Sequence, residues 1–83
     1  MTSNTKPAAD VRIGAVQAAI WRNESDNGAR FNVTFSRSYR DSEGNWQSTS
    51  SFRRDDLLVL AKVADQAHSR IFELQRAEKA GAN

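Results

Sequence analysis

The most regular stretch of the chain is "RFNVTFSRSYR", residues 30–40, where Phe31, Val33 and Phe35 alternate with Asn32, Thr34 and Ser36. A period of two is expected of a strand with one buried face. The apolar register stops after Phe35, and Arg37 and Tyr39 take the same side, as in a strand that runs on beyond its cover. Upstream, "IGAVQAAIWR" (13–22) has no helix cap and predicts a strand. Its two faces, Val16, Ala18 and Ile20 against Gln17, Ala19 and Trp21, contrast only softly. "NESDNG" (23–28) supplies a turn between the two. "DSEGN" closes a second hairpin, with Gly44 placed for a left-handed conformation, and "WQSTSSF" (46–52) returns as a third strand.

From Arg54 the period becomes helical. Leu57, Leu60, Ala61, Ala64, Ala67, His68, Ile71 and Leu74 recur at steps of three and four, behind Asp55 and Asp56 in the first turn, where the helix dipole favours acids. A helix to about Gln75 has roughly twenty residues, about 30 Å at 1.5 Å each. Three or four strands about 4.8 Å apart do not span that length. Ile71, Phe72 and Leu74 are therefore expected at an interface with a second copy. Residues 1–10 and 77–83 lack periodicity and read as disordered tails around one domain, 11–76. The fold class expected is α+β, a curved antiparallel sheet of three to four strands followed by one long C-terminal helix, dimerising.

Length and composition narrow the function. With 83 residues the chain holds one small domain with a thin core. It has no cysteine and one histidine, which removes disulfides and the usual Cys/His zinc sites. No apolar segment has the length of a signal sequence or a membrane span, so a cytoplasmic protein is expected, with nucleoid association as a variant of that location. No glycine-rich phosphate loop, metal-ligand spacing or nucleophile with a His–acid relay is visible. The chain reads as a non-enzyme without cofactor or metal.

Charge changes the picture more. The formal net charge is only +2, but nine of the twelve basic residues are arginine, the side chain best suited to gripping phosphate or carboxylate. Between residues 11 and 54 seven arginines face four acids, and those acids, Glu24, Asp26, Asp41 and Glu43, fall in the two predicted turns. The strands thus carry arginine without interspersed carboxylate, a pattern that attracts polyanions. Trp21, Tyr39 and Trp46 lie near strand ends, close to Arg22, Arg37 and Arg40. Rings offer stacking platforms for unpaired bases, while Gln17, Thr34, Gln47 and Thr49 offer hydrogen bonds. For Trp21 and Trp46 burial in the core is an equal alternative. For Arg53 and Arg54 the alternative is solvation of the helix start, and His68 reads as a core residue.

The order of elements, "IG" at 13–14, the "SYRDSEGNW" hairpin and a third strand passing straight into "RRDDLLVLAKVAD", resembles the positive cofactor four family of transcriptional coactivators, whose fold is similar to that of the whirly proteins. The resemblance covers about residues 11–74. It implies a dimer that binds single-stranded DNA with little sequence preference through its strands, with Arg22, Arg37, Tyr39, Arg40 and Trp46 as contacts; Trp21 and Arg53 join them from their own positions. Single-stranded DNA, or RNA, is the expected partner, with no membrane and no small-molecule substrate, in transcription, replication or repair. The return strand "QSTSSF" departs from the lysines and glycine common in that family. The alternative is a protein-interaction module that docks an acidic partner through the basic, aromatic hairpin.

Overall fold

The computed structural model describes residues 6–26 and 28–81. It is α+β: four antiparallel strands in the order of the sequence form an open sheet, and one helix packs on a single face of it. The strands are β1 (Ala9–Ile13), β2 (Val16–Ser25), β3 (Gly28–Arg40) and β4 (Trp46–Thr49). A 3-10 turn, Arg54–Asp56, leads into α1 (Leu57–Gly81). No helix among the described residues is long and apolar enough to cross a membrane.

The opening strand expected over 13–22 is a hairpin. Ala9, Val11 and Ile13 alternate with Asp10 and Arg12 and pair with Ile20, Ala18 and Val16 of β2. Gly14, at a φ of 60°, and Ala15 make the turn between them. Ala9 and Asp10 thus leave the segment read as an N-terminal tail, and Ile13 ends a strand where the "IG" pair was expected to open one. At the other terminus α1 continues through Ala77 and Glu78 to Gly81, past the expected end at Gln75. Glu24 belongs to β2 and not to a turn, whereas Asp41 and Glu43 occupy the turn as expected. There Gly44 has a φ of 83°, and the Asp41 carboxylate accepts the N–H groups of Glu43 and Asn45, each at 2.9 Å. These bonds hold the Asp41 carboxyl below the usual carboxylate range, that of Asn45 foremost.

Register assigns the faces. Residues opposed across antiparallel strands share a side, so Val11, Ala18 and Phe35 face one way, as do Ile13, Val16 and Arg37. This is the helix side. Val16, Ala18 and Ile20 are buried there against Val63 and Ala67, with Phe31, Val33, Phe35, Phe52, Leu60, Ile71 and Leu74 packed around them. Val63, which the sequence pattern left off the stripe, is fully buried at its centre. Conversely, Leu57, Ala61 and His68 are exposed. The stripe read from the sequence spans two neighbouring rows of the helix, and only one of them meets the sheet.

The helix runs along β2 rather than across the strands. At its start Asp56 lies 3.3 Å from Arg37, which pairs with Val16, and near its end Glu78 binds Arg22 at 2.7 Å. The ten residues of β2 extend about 33 Å at ~3.3 Å each, most of the ~37 Å length of the helix. Ile71 and Leu74 are partly buried against the chain's own core, while Phe72 is 57% exposed. The expected sheet width was the wrong dimension to compare with helix length.

Candidate nucleic-acid interface

The seven residues singled out from the sequence divide between opposite sides of the sheet. Arg22, Arg37 and Tyr39 lie on the helix side. Trp21, Arg40 and Trp46 lie on the side that no helix among the described residues covers, by the pairings Trp21 with Asn32 and Arg40 with Trp46. Arg53 precedes the 3-10 turn with its side chain exposed and its backbone N–H donated to Asp56.

The helix-side arginines are engaged inside the fold. Arg22 forms ion pairs with Glu24 of its own strand and with both carboxylate oxygens of Glu78, at 2.7 and 3.0 Å. These partners hold Arg22 firmly protonated, and the hydrogen bonds from Arg22 hold the Glu78 carboxyl below the usual range. The clasp ties the end of the helix to β2. Arg37 is only 14% exposed in its side chain, donates to the Ser51 carbonyl at 3.1 Å and pairs with Asp56. Its guanidinium also lies 5.8 Å from the Tyr39 ring. It ties β3 to the loop after β4 and to the helix start. Both residues are thus brought away from the surface where a ligand strand was expected, because strand parity places them over or beside the helix.

The uncovered face has a different chemistry. Trp46 is 65% exposed and sits under the Arg40 guanidinium, 5.0 Å from its centroid. Such a cation–π pair presents a ring and a charge together. Trp21 is partly exposed, and its indole N–H donates to the Thr34 hydroxyl at 3.0 Å, which fixes the ring on the sheet. Eight residues of β3 separate Asn32, beside Trp21, from Arg40, so the two tryptophans stand about 26 Å apart along the strands. Between them the face carries hydroxyl and amide groups, Asn32, Thr34, Ser36 and Gln17. Two arginines that the sequence reading counted but did not single out complete it: Arg12 reaches Ser38 at 3.5 Å, and Arg30 opposes Asn23 near Trp21. Parity with Arg40 within β3 was the signal that could have found Arg30, whereas the face of Arg12 depends on the pairing of β1 with β2. The strands expose three arginines here against one acid, Asp10, whose carboxylate accepts from Gln17 at 3.2 Å.

Gln47 and Thr49, considered as base contacts, fall on the helix side and are used locally. Gln47 donates to Asp41 at 3.1 Å, and Thr49 accepts from the Ser51 N–H. The hairpin consequently does not present Arg37 and Arg40 on one surface, as docking of an acidic partner through both would need. Comparison with family models, with curated proteins and with solved structures gave no match.

Proposed function

We propose that the uncovered face of the sheet binds single-stranded nucleic acid, DNA foremost, with little sequence preference. The observation that carries the reading is a sheet face free of helix among the described residues, with a tryptophan and an arginine at each end and only one acid among its strands. Unpaired bases stack on Trp46 and Trp21 while Arg40, Arg30 and Arg12 hold phosphates, and the hydroxyl and amide groups between them take variable hydrogen bonds. Duplex DNA, whose bases are already stacked, gains nothing from exposed rings. The likeness of element order to the positive cofactor four family supports the same reading, as does its placement of Arg40 and Trp46. It also favours a homodimer acting in transcription, replication or repair; a cytoplasmic location and a role without catalysis or cofactor are the reading of the sequence.

The test is fluorescence anisotropy of a labelled oligo-dT of about twenty nucleotides and of a matching duplex, at two salt concentrations. Expected is binding to the single strand that weakens steeply with salt and quenches tryptophan emission, with weak binding to duplex. Equal affinity for duplex, or affinity indifferent to salt, overturns the mechanism.

A further inference from the structure

Asp10 is the one acid on the strands of the uncovered face among the described residues, and its charge works against a grip on phosphates. It does not neutralise an arginine. Arg12, two positions along the same strand and on the same face, reaches Ser38 at 3.5 Å instead, and Asp10 makes no ion pair among the described residues. What engages it is an amide. Gln17 Nε2 donates to Asp10 Oδ2 at 3.2 Å across the β1–β2 boundary, while Asp10 Oδ1 accepts no hydrogen bond among the described residues and the side chain is exposed.

Register shows what surrounds this pair. Asp10 opposes Ala19 of β2, and Ala19 opposes Thr34 of β3. Gln17 and Trp21 flank Ala19 on the same face, each two residues or about 6.6 Å away along β2. Ala19 is thus the centre of four larger side chains, contributes only a methyl group and stays partly exposed. The indole of Trp21 inclines toward this centre, because the Thr34 hydroxyl that accepts its N–H at 3.0 Å belongs to the residue opposite Ala19, whereas Trp21 itself opposes Asn32. An aromatic ring, a low floor and a carboxylate with an open oxygen therefore adjoin. A ring holds a base by its face and leaves the hydrogen-bonding edge of that base to its neighbours. Here those neighbours are Asp10 and Gln17.

A carboxylate accepts hydrogen bonds and donates none. Cytosine, adenine and guanine carry amino groups that donate; thymine and uracil present carbonyl oxygens in their place, which a carboxylate repels. We propose that Asp10, held in place by Gln17, selects a base with an amino group where the bound strand stacks beside Trp21, and so favours cytosine over thymine. The proposal rests on the nucleic-acid reading above and adds a specificity-determining residue to it. Arginines and rings hold a strand of any sequence, and Asp10 grades the base beside it, its Oδ1 accepting from the amino group.

The experiment compares oligo-dC with oligo-dT, each of about twenty nucleotides, by anisotropy at neutral pH and one low salt concentration, so that every register of the strand offers the same base. Oligo-dC is expected to bind about threefold to tenfold more tightly, the scale of one hydrogen bond open to water. Asp10→Asn can keep the bond from Gln17 and can donate to a thymine carbonyl, so it is expected to tighten oligo-dT and bring the ratio to about one. Should circular dichroism show that variant unfolded, the unaltered protein decides: an oligonucleotide of N4,N4-dimethylcytosine keeps the ring but lacks the amino donors, and is expected to lose the advantage over oligo-dT. Equal, salt-sensitive binding of oligo-dC and oligo-dT, or tighter binding of oligo-dT, overturns this inference alone and leaves the reading beneath it standing. A preference for oligo-dC that survives both Asp10→Asn and dimethylation also overturns it, in favour of stacking, with Asp10 only a charge on an edge strand. Binding to neither oligonucleotide overturns both.

Discussion

Arginine has opposite fates on the two faces of this sheet. On the helix side Arg22 and Arg37 meet Glu24, Glu78 and Asp56 and act as internal ties; on the uncovered side Arg40 lies on an exposed indole. The residues are chemically identical and close in sequence. What separates them is strand parity, which delivers one set to the carboxylates of the helix ends and the other to solvent. An arginine count therefore says little about polyanion binding until each residue has been given a face.

The contrast can be broken most strongly at the core. Ile20→Ala, on the helix face of β2, is expected to cost about 2–5 kcal/mol of stability, read by chemical denaturation. Thr34→Ala, on the other face, is expected to stay within about 0.5–1 kcal/mol, since it removes one hydrogen bond at a site open to water. Next, Arg37→Ala should destabilise by about 1–3 kcal/mol because it strands Asp56 and the Ser51 carbonyl at the helix start. Its affinity for single strands, measured below the unfolding transition, should be unchanged. A loss of binding with intact stability would place Arg37 in the interface after all.

Trp46→Ala reverses that signature. Binding should weaken by about 1–3 kcal/mol, the worth of one stacked base, with stability within about 0.5 kcal/mol of the parent. Arg40→Gln should have a smaller effect, lowering the slope of log affinity against log salt by about one, as for one lost phosphate contact. The smallest expected effect belongs to the clasp at the helix end. The Glu78 carboxyl titrates lower in the folded than in the unfolded chain, so its contribution is present above the unfolded value and is lost as pH falls through the folded one. Glu78→Gln should therefore lower stability slightly at neutral pH and converge with the parent at acid pH, which flattens the acid limb of a stability–pH curve; a steepened limb would contradict the clasp.

Much of the architecture was legible because local period and turn chemistry agree with the fold. Phe31, Val33 and Phe35 announce β3, Gly44 announces its hairpin, and the acids at 55 and 56 announce the start of the helical segment. β1 was not legible: five residues ending at Gly14 are too short for a period of two to stand out from a polar terminus, and only pairing with β2 makes them a strand. The helix stripe was legible in existence and not in orientation, because alanines at 61, 64 and 67 fit either of two adjacent rows, and burial of Val63 against Ile20 chooses between them.

For the candidate interface the sequence supplied residue types but not their grouping by face. Trp21, Arg40 and Trp46 could be named from composition near strand ends, whereas their separation from Arg22, Arg37 and Tyr39 depends on register across β2, β3 and β4. By itself the sequence determined the element types, the hairpin turns and the excess of arginine over acid, since these follow from local periodicity and composition. Only the tertiary structure decided which face each arginine serves and which row of the helix is buried. Side chains far apart in sequence meet through the packing of α1 on one side of the sheet, and no local pattern states which side that is.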